Sequence, residues 1–407
     1  MDRVAISITS KDISRELGLS DVQMGFVFSA FTLAYGAFEI PTGWWGDKIG
    51  TRAVLTRIVT WWSTFTMATA AAFNYPSLLA IRFLFGIGEA GAWPNVARTL
   101  SRWFPANERG RAQGIFFTGA HGGAAITPII ITWLLTLTTW RNVFLIFGSI
   151  GFFWALAWWL WFRNEPAEHS AVTPEERKLI EAGRLQQSPH SLAGVPWGKI
   201  LSNRNVFFLC LQYFTQSYGF YFFLTWMPTY LARERGFAST KLGLMAALPF
   251  IACVIADIFG GFASDAASRR FGVRFGRALV AGSSFLIASA TMLAGTAAQD
   301  PQTAAILLAM ASGWSAFLLG AAWSTCVDIA GAHAGVVSAC MNTAGQVGGM
   351  LSPVLIGFVL QYWGNWSMPL YLTGALFFVG ALCWLFIDPN QHIHLEEHNS
   401  AKVAKSH

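Results

Sequence analysis

Gly43-Trp44-Trp45-Gly46-Asp47-Lys48-Ile49-Gly50-Thr51-Arg52 lies between two long apolar runs. Gly261-Phe262-Ala263-Ser264-Asp265-Ala266-Ala267-Ser268-Arg269-Arg270-Phe271-Gly272 lies between two more, and its Asp265 follows Asp47 by 218 residues. Each stretch sets glycine, aspartate, basic residues and a second glycine at the exit of an apolar run. A motif repeated in that setting reads as two related halves built from membrane-spanning helices.

Outward from these two stretches, the chain holds eleven runs near the 20 or so apolar residues that cross a bilayer. Five come first, at about 21–43, 53–72, 76–98, 112–137 and 142–163. Six follow, at about 206–231, 240–264, 277–298, 302–327, 334–360 and 366–388. The composition of the 407 residues agrees: 54% are hydrophobic and 12% charged, against roughly 25% charged in a soluble domain. Disorder, a nucleic-acid-binding domain and a small disulfide scaffold are excluded. The net charge of +6 comes from basic residues in short loops, a pattern of membrane orientation and not of nucleic-acid binding. The five cysteines (Cys210, Cys253, Cys326, Cys340, Cys383) all fall within apolar runs and lack ligand spacing, so they read as small core residues. No HExxH, GxSxG or P-loop motif is present, and no enzyme activity, metal or cofactor is expected.

The polar stretch 164–205 divides the chain into a first bundle (1–163), a central cytoplasmic loop, a second bundle (206–388) and a cytoplasmic tail (389–407). Within the loop, Thr173-Pro174-Glu175-Glu176 has the cap, proline and acid of a helix start. The repeat predicts one element more. Moving the span 206–231 back by 218 places its equivalent at about −12 to 13, so Met1–Thr9 reads as the second half of a truncated first helix. Of the Lys and Arg residues, 19 fall on one side of the membrane and 6 on the other. That bias puts the first side, and both termini of the complete protein, in the cytoplasm. The bilayer is then the cell's inner (plasma) membrane.

Ionisable side chains inside spans are costly and usually functional. Asp2, Arg3, Arg82 and Glu89 are the firmest cases. Arg82 and Glu89 are seven residues apart, so both lie on one helix face about 10 Å apart. Gly86-Ile87-Gly88-Glu89-Ala90-Gly91 matches GxGxxG formally, but it falls mid-helix with no strand before it, and small residues at a helix crossing explain it better. Glu39 and Asp257 read as gating or structural acids, and His121 beside Gly122 and Gly123 as a packed or cavity histidine. The second half offers neutral groups instead: Gln212, Gln216, Tyr218, Tyr221, Trp323, Ser324, Thr325, Asn342, Thr343 and Gln346. A charged half facing a hydrogen-bonding half suits an anionic, hydroxylated solute held between them.

These motifs resemble the major facilitator superfamily, whose loop signature is matched by Asp47, Lys48, Gly50 and Arg52, with Trp45 and Thr51 as departures. Within it, the chain resembles the anion:cation symporter branch of sugar-acid and sialin-like carriers. Arg82-Phe83-Leu84-Phe85-Gly86-Ile87-Gly88-Glu89-Ala90-Gly91-Ala92-Trp93-Pro94-Asn95 and Phe222-Phe223-Leu224-Thr225-Trp226-Met227-Pro228 carry that likeness, with Asp2-Arg3 and Tyr35. The resemblance implies an all-α polytopic fold of two pseudo-symmetric six-helix bundles, here with the first helix incomplete and eleven complete spans. It implies proton coupling at Asp2 and Glu89, with Arg82 modulating an acid. It implies a substrate-carboxylate arginine at Arg3 and a cavity lined by Tyr35, His121, Gln216, Trp323, Ser324, Asn342 and Thr343. A gating motif would comprise Gly43, Asp47, Lys48, Gly50 and Arg52, with Asp265, Arg269 and Arg270. The expected protein is a monomeric proton-coupled symporter of an organic anion such as a sugar acid. A drug or cation exporter of the same fold and a non-transporting membrane sensor or scaffold are the alternatives.

Overall fold

A computed structural model describes residues 2–104, 109–182, 197–330 and 334–391, and the side chains at 40, 43–48, 94, 97, 101, 109–111, 113, 114, 117, 181, 182, 334 and 335 lie outside what it describes. Among the described residues every regular element is helical. The first group is α1 (Asp2–Ile8), α2 (Ser10–Leu17), α3 (Asp21–Ile49), α4 (Thr51–Thr69), α5 (Tyr75–Glu89), α6 (Ala92–Trp103), α7 (Arg109–Leu137) and α8 (Trp140–Trp161). The polar stretch carries α9 (Pro174–Ala182) and α10 (Trp197–Leu201). The second group is α11 (Arg204–Thr225), α12 (Met227–Arg233), α13 (Ser239–Phe271), α14 (Val273–Ala297), α15 (Pro301–Phe317), α16 (Leu319–Ala330), α17 (Ala334–Trp363) and α18 (Ser367–Cys383).

Each of the eleven apolar runs folds as a helix or a broken pair of helices. Among the described residues, six stretches are long and apolar enough to cross a membrane: Thr118–Leu137, Trp140–Trp161, Ser239–Phe271, Val273–Ala297, Pro301–Ala330 and Val336–Trp363. The others are shorter or more polar; α5 has 15 residues and α18 has 17. The structure departs from the sequence expectation at one crossing. The Gly86–Gly91 segment is not mid-helix: α5 ends at Glu89, Ala90 turns to ψ 140°, and Gly91 takes φ +80° before α6 begins. Glycine reaches that left-handed backbone without a Cβ penalty. The runs 206–231 and 302–327 are broken as well, at Trp226 ahead of Pro228 and at Leu318.

The repeat is visible in backbone detail. Gly50 opens α4 with φ 84°, ψ 155°, and Gly272 opens α14 with φ 82°, ψ 156°. Asn74 caps α5 by accepting from the Ser77 amide at 2.9 Å, and Asp300 caps α15 by accepting from the Thr303 amide at 2.7 Å. Such caps satisfy amides that a helix start leaves unpaired. Thr173 does the same for α9, accepting from the Glu176 amide at 3.2 Å.

The two groups meet along α3 against α17 and α7 against α13, with α1 lying on α11 and α12. Small residues set the approach. A Cβ at Gly25 of α3 would stand 2.6 Å from the Pro353 carbonyl oxygen, and one at Gly357 of α17 2.6 Å from that of Asp21. Ser29 donates to the Met350 carbonyl at 2.6 Å, Asp21 pairs with Arg233 at 2.7 Å, and Ser10 and Thr229 hydroxyls lie 2.9 Å apart. All of these contacts gather at the end where α3 begins and α17 finishes. The outer surface keeps large apolar side chains in the open, among them Phe153, Phe262, Trp161 and Leu385. This is the surface of a chain solvated by lipid.

Candidate functional site

Where α1 reaches the middle of the first group, Arg3 donates from Nε to Glu89 Oε1 at 2.7 Å. Glu89 closes α5, so the break that follows it lets its side chain turn toward α1. The Arg3 guanidinium carbon lies 4.9 Å from the ring centroids of both Phe31 and Tyr35, which are one turn apart on α3. Arg82, 2% exposed, lies 4.4 Å from the Phe85 ring and 5.5 Å from the same Phe31 ring. Two arginines therefore share Phe31 between them. Cation–π contact attracts a guanidinium without neutralising it; the charge of Arg3 is balanced instead by Glu89.

Among the described residues, Arg82 Nε and Glu89 Oε2 are buried without a hydrogen-bond partner. Polar atoms in that position are costly and mark where a ligand or proton can be accommodated. Asp2 lies within electrostatic reach of Glu89 and Arg82. Asp2, Arg3, Arg82, Glu89 and Tyr35 thus lie in one cluster.

From the second group, Asn342 donates to Glu39 Oε2 at 3.2 Å, and Tyr221 donates to Gln346 Oε1 at 3.5 Å. Asn342 and Gln346 are one turn apart on the face of α17 turned to α3, where Gly36 lies against Gln346. His121 and Asp257 meet at 2.5 Å from α7 and α13, with Phe220 of α11 edge-on to the imidazole. A Cβ at Gly122 would meet nothing within 4 Å, so there is open space next to His121.

Other sequence candidates lie elsewhere. Gln216 is buried beside Ser217, which donates to it at 3.4 Å. Trp323 is partly exposed and edge-on to Tyr213 at 6.0 Å. Ser324 is half-buried, and Thr343 is exposed on the stripe of α17 that carries Val347 and Phe358. Arg52 donates to the Trp159 carbonyl at 3.0 Å and its amide to Asn164 at 2.9 Å, tying α4 to the end of α8. Gly50 lies against Asn164. Asp265, Arg269 and Arg270 are exposed near the end of α13. The surroundings of Gly43 and the side chains of Asp47 and Lys48 lie outside what the structure describes. Sequence reasoning missed Phe31 and the partners of Glu39 and Asp257. The four-residue spacing of Phe31 and Tyr35 sets both rings on one face of α3, but nothing in the sequence signals an arginine against either.

A family model described as Major Facilitator Superfamily matches residues 1–352 and 209–406. The chain is 36% identical over 395 residues to the probable sulfoacetate transporter SauU of Cupriavidus necator, covering 96% of this chain and 90% of that one. It is 29% identical to the D-galactonate transporter of Escherichia coli O6:H1, covering 95% and 91%. Its fold is similar to that of a D-xylose-proton symporter, with TM-score 0.73 and 16% identity over 96% of this chain and 95% of the other.

Proposed function

The chain belongs to the major facilitator superfamily, and from that premise we propose that it is a proton-coupled symporter that imports a small organic anion. The observation that carries this reading is the Arg3–Glu89 pair, a cation and an acid joined at 2.7 Å inside the helical bundle. Protonation of Glu89, with Asp2 beside it, removes the charge that holds Arg3. A substrate carboxylate or sulfonate then takes the released guanidinium through a charge-assisted hydrogen bond. Phe31 and Tyr35 keep Arg3 in place meanwhile, and Arg82 supplies a second positive centre. Neutralising the cluster lowers the cost of closing it away from water.

The hydroxyl and amide groups of Tyr221, Asn342 and Gln346 face this cluster from the second group and suit a polyhydroxylated or sulfonated acid. Relatives named for sulfoacetate and D-galactonate transport support that class. Movement would be a rocking of the two groups about the seams α3–α17 and α7–α13. The tight backbone contacts at the α3 start support a state closed at that end, with the loop motifs at Asp47 and Asp265 latching the other end in turn. The reading includes a monomer in the inner membrane with its basic loops cytoplasmic.

Uptake into proteoliposomes containing the full chain tests it. A panel of sugar acids and sulfonated carboxylates is offered with an imposed inward proton gradient. Accumulation that collapses with a protonophore supports symport. Flux indifferent to the proton gradient, or specific for organic cations, overturns it.

A further inference from the structure

The outer face of α4 carries a groove of about 490 Å³ that the transport reading does not use. Its volume falls within the roughly 300–1,000 Å³ of small-ligand sites. It is lined by Ala53, Thr56, Arg57, Thr60, Trp61, Thr64 and Phe65 of α4 and by Trp159 of α8. We propose that this groove is a binding site for an anionic phospholipid, its phosphodiester at the Arg57 end and an acyl chain along α4 toward Phe65.

The walls are amphipathic lengthwise. Thr56 and Thr64 donate to the Arg52 and Thr60 carbonyls at 2.8 Å, so their hydroxyl protons are spent on their own helix. Trp61 likewise spends its indole N–H on the Leu84 carbonyl at 2.8 Å. What remains along most of the groove is methyl and aromatic surface, suited to hydrocarbon. Arg57 stands one turn in from the Ala53 end of the groove, six residues (about 9 Å) into α4, with Phe65 about 12 Å further on.

A separate observation fixes the level of that end in the bilayer. Trp159 and Trp161 are exposed at the finish of α8, and the Arg52 guanidinium lies 4.3 Å from the Trp159 ring. Exposed tryptophans with arginines mark the headgroup region. Arg57 therefore lies just inside headgroup depth, on the side that the basic loops assign to the cytoplasm. Basic pockets between helices there attract acidic headgroups.

Native mass spectrometry of the full chain in detergent, titrated with phosphatidylglycerol, phosphatidylcholine or inorganic phosphate, tests the proposal. Wild type is expected to retain phosphatidylglycerol adducts at least several-fold over phosphatidylcholine. Arg57→Gln should lose that preference, and Arg177→Gln on the loop helix α9, which does not line the groove, should keep it. Thr60→Trp, which fills the groove and leaves the cation, should reduce adducts of both lipids. Equal retention of both lipids by wild type, an unchanged preference in Arg57→Gln, or undiminished adducts of both lipids in Thr60→Trp, overturns the site. Retention of inorganic phosphate as strong as that of the lipid would assign Arg57 to a free anion and overturn the lipid assignment. Failure of this test leaves the transport reading intact, since none of these residues belongs to the Arg3–Glu89 cluster.

Discussion

His121 of α7 and Asp257 of α13, separated by 136 residues in sequence, meet at 2.5 Å across the seam between the two helical groups. Both side chains are largely withdrawn from solvent, at 17% and 15% exposure. The pair should behave as a coupled unit. Residues in direct contact typically show interaction energies of 0.5–3 kcal/mol, roughly. His121→Asn and Asp257→Asn are each expected to lower the unfolding temperature in detergent. The double variant should be clearly less destabilised than their sum. Strict additivity in that cycle would show that the contact contributes nothing.

Glu89→Gln keeps the size of the side chain and its hydrogen-bonding capacity but removes its proton chemistry. It is expected to abolish accumulation against a gradient while exchange of internal for external anion continues. Parallel counterflow and proton-driven uptake measurements separate the two, and normal uphill uptake would remove Glu89 from coupling.

Arg3→Lys retains the charge but loses the planar fork of donors. Hydrogen bonds to charged groups contribute about 1.5–3 kcal/mol, so KM for the anion should rise roughly 10- to 100-fold. Arg3→Ala should be worse still. Concentration dependence of initial uptake rates reads this directly, and unchanged KM in both variants would place the anion elsewhere.

Gly25→Ala puts a methyl 2.6 Å from the Pro353 carbonyl oxygen, so α3 and α17 must separate. Overpacking of this kind costs about 1–3 kcal/mol, and the unfolding temperature should fall. Gly122→Ala, which meets open space, is the matched control. It should be neutral or slightly stabilising, since alanine is the better helix former.

Glu16, at the exposed end of α2, accepts from Arg141 at 2.8 Å and from Trp140 Nε1 at 2.6 Å. The Arg141 hydrogen bond first, and the Trp140 one second, hold its carboxyl below the usual carboxylate range. A depressed folded-state value contributes stability above the unfolded pKa of about 4.3, and that contribution is lost as pH falls through the folded value. Wild type should therefore unfold at a higher temperature than Glu16→Gln at pH 7, with the gap closing in the acid range below pH 4. A gap that is constant with pH would contradict the assignment.

The fold was legible because lipid demands long apolar helices, and each of the eleven runs folds as a helix or a broken pair. The Arg82–Glu89 face was legible for the same reason, since one helix's periodicity fixes which residues share a side. Which helix lies opposite is a tertiary fact that no period encodes. Hence the Asp257 partner of His121 and the Asn342 partner of Glu39 went unread. Breaks within spans were hidden as well: Ala90-Gly91 is apolar and small, so hydropathy passes over it, yet the helix ends there, with Ala90 at ψ 140° and Gly91 at φ +80°.

Gly50 and Gly272 turn the chain through nearly identical corners. In the gene, every change at the first two bases of a glycine codon replaces glycine, and no L-residue enters that left-handed corner without strain. Codons 50 and 272 should thus be among the least tolerant in a saturation mutagenesis screen. Codon 50 should tolerate less of the two, because a Cβ there also strikes Asn164 at 2.7 Å, whereas at Gly272 it meets open space.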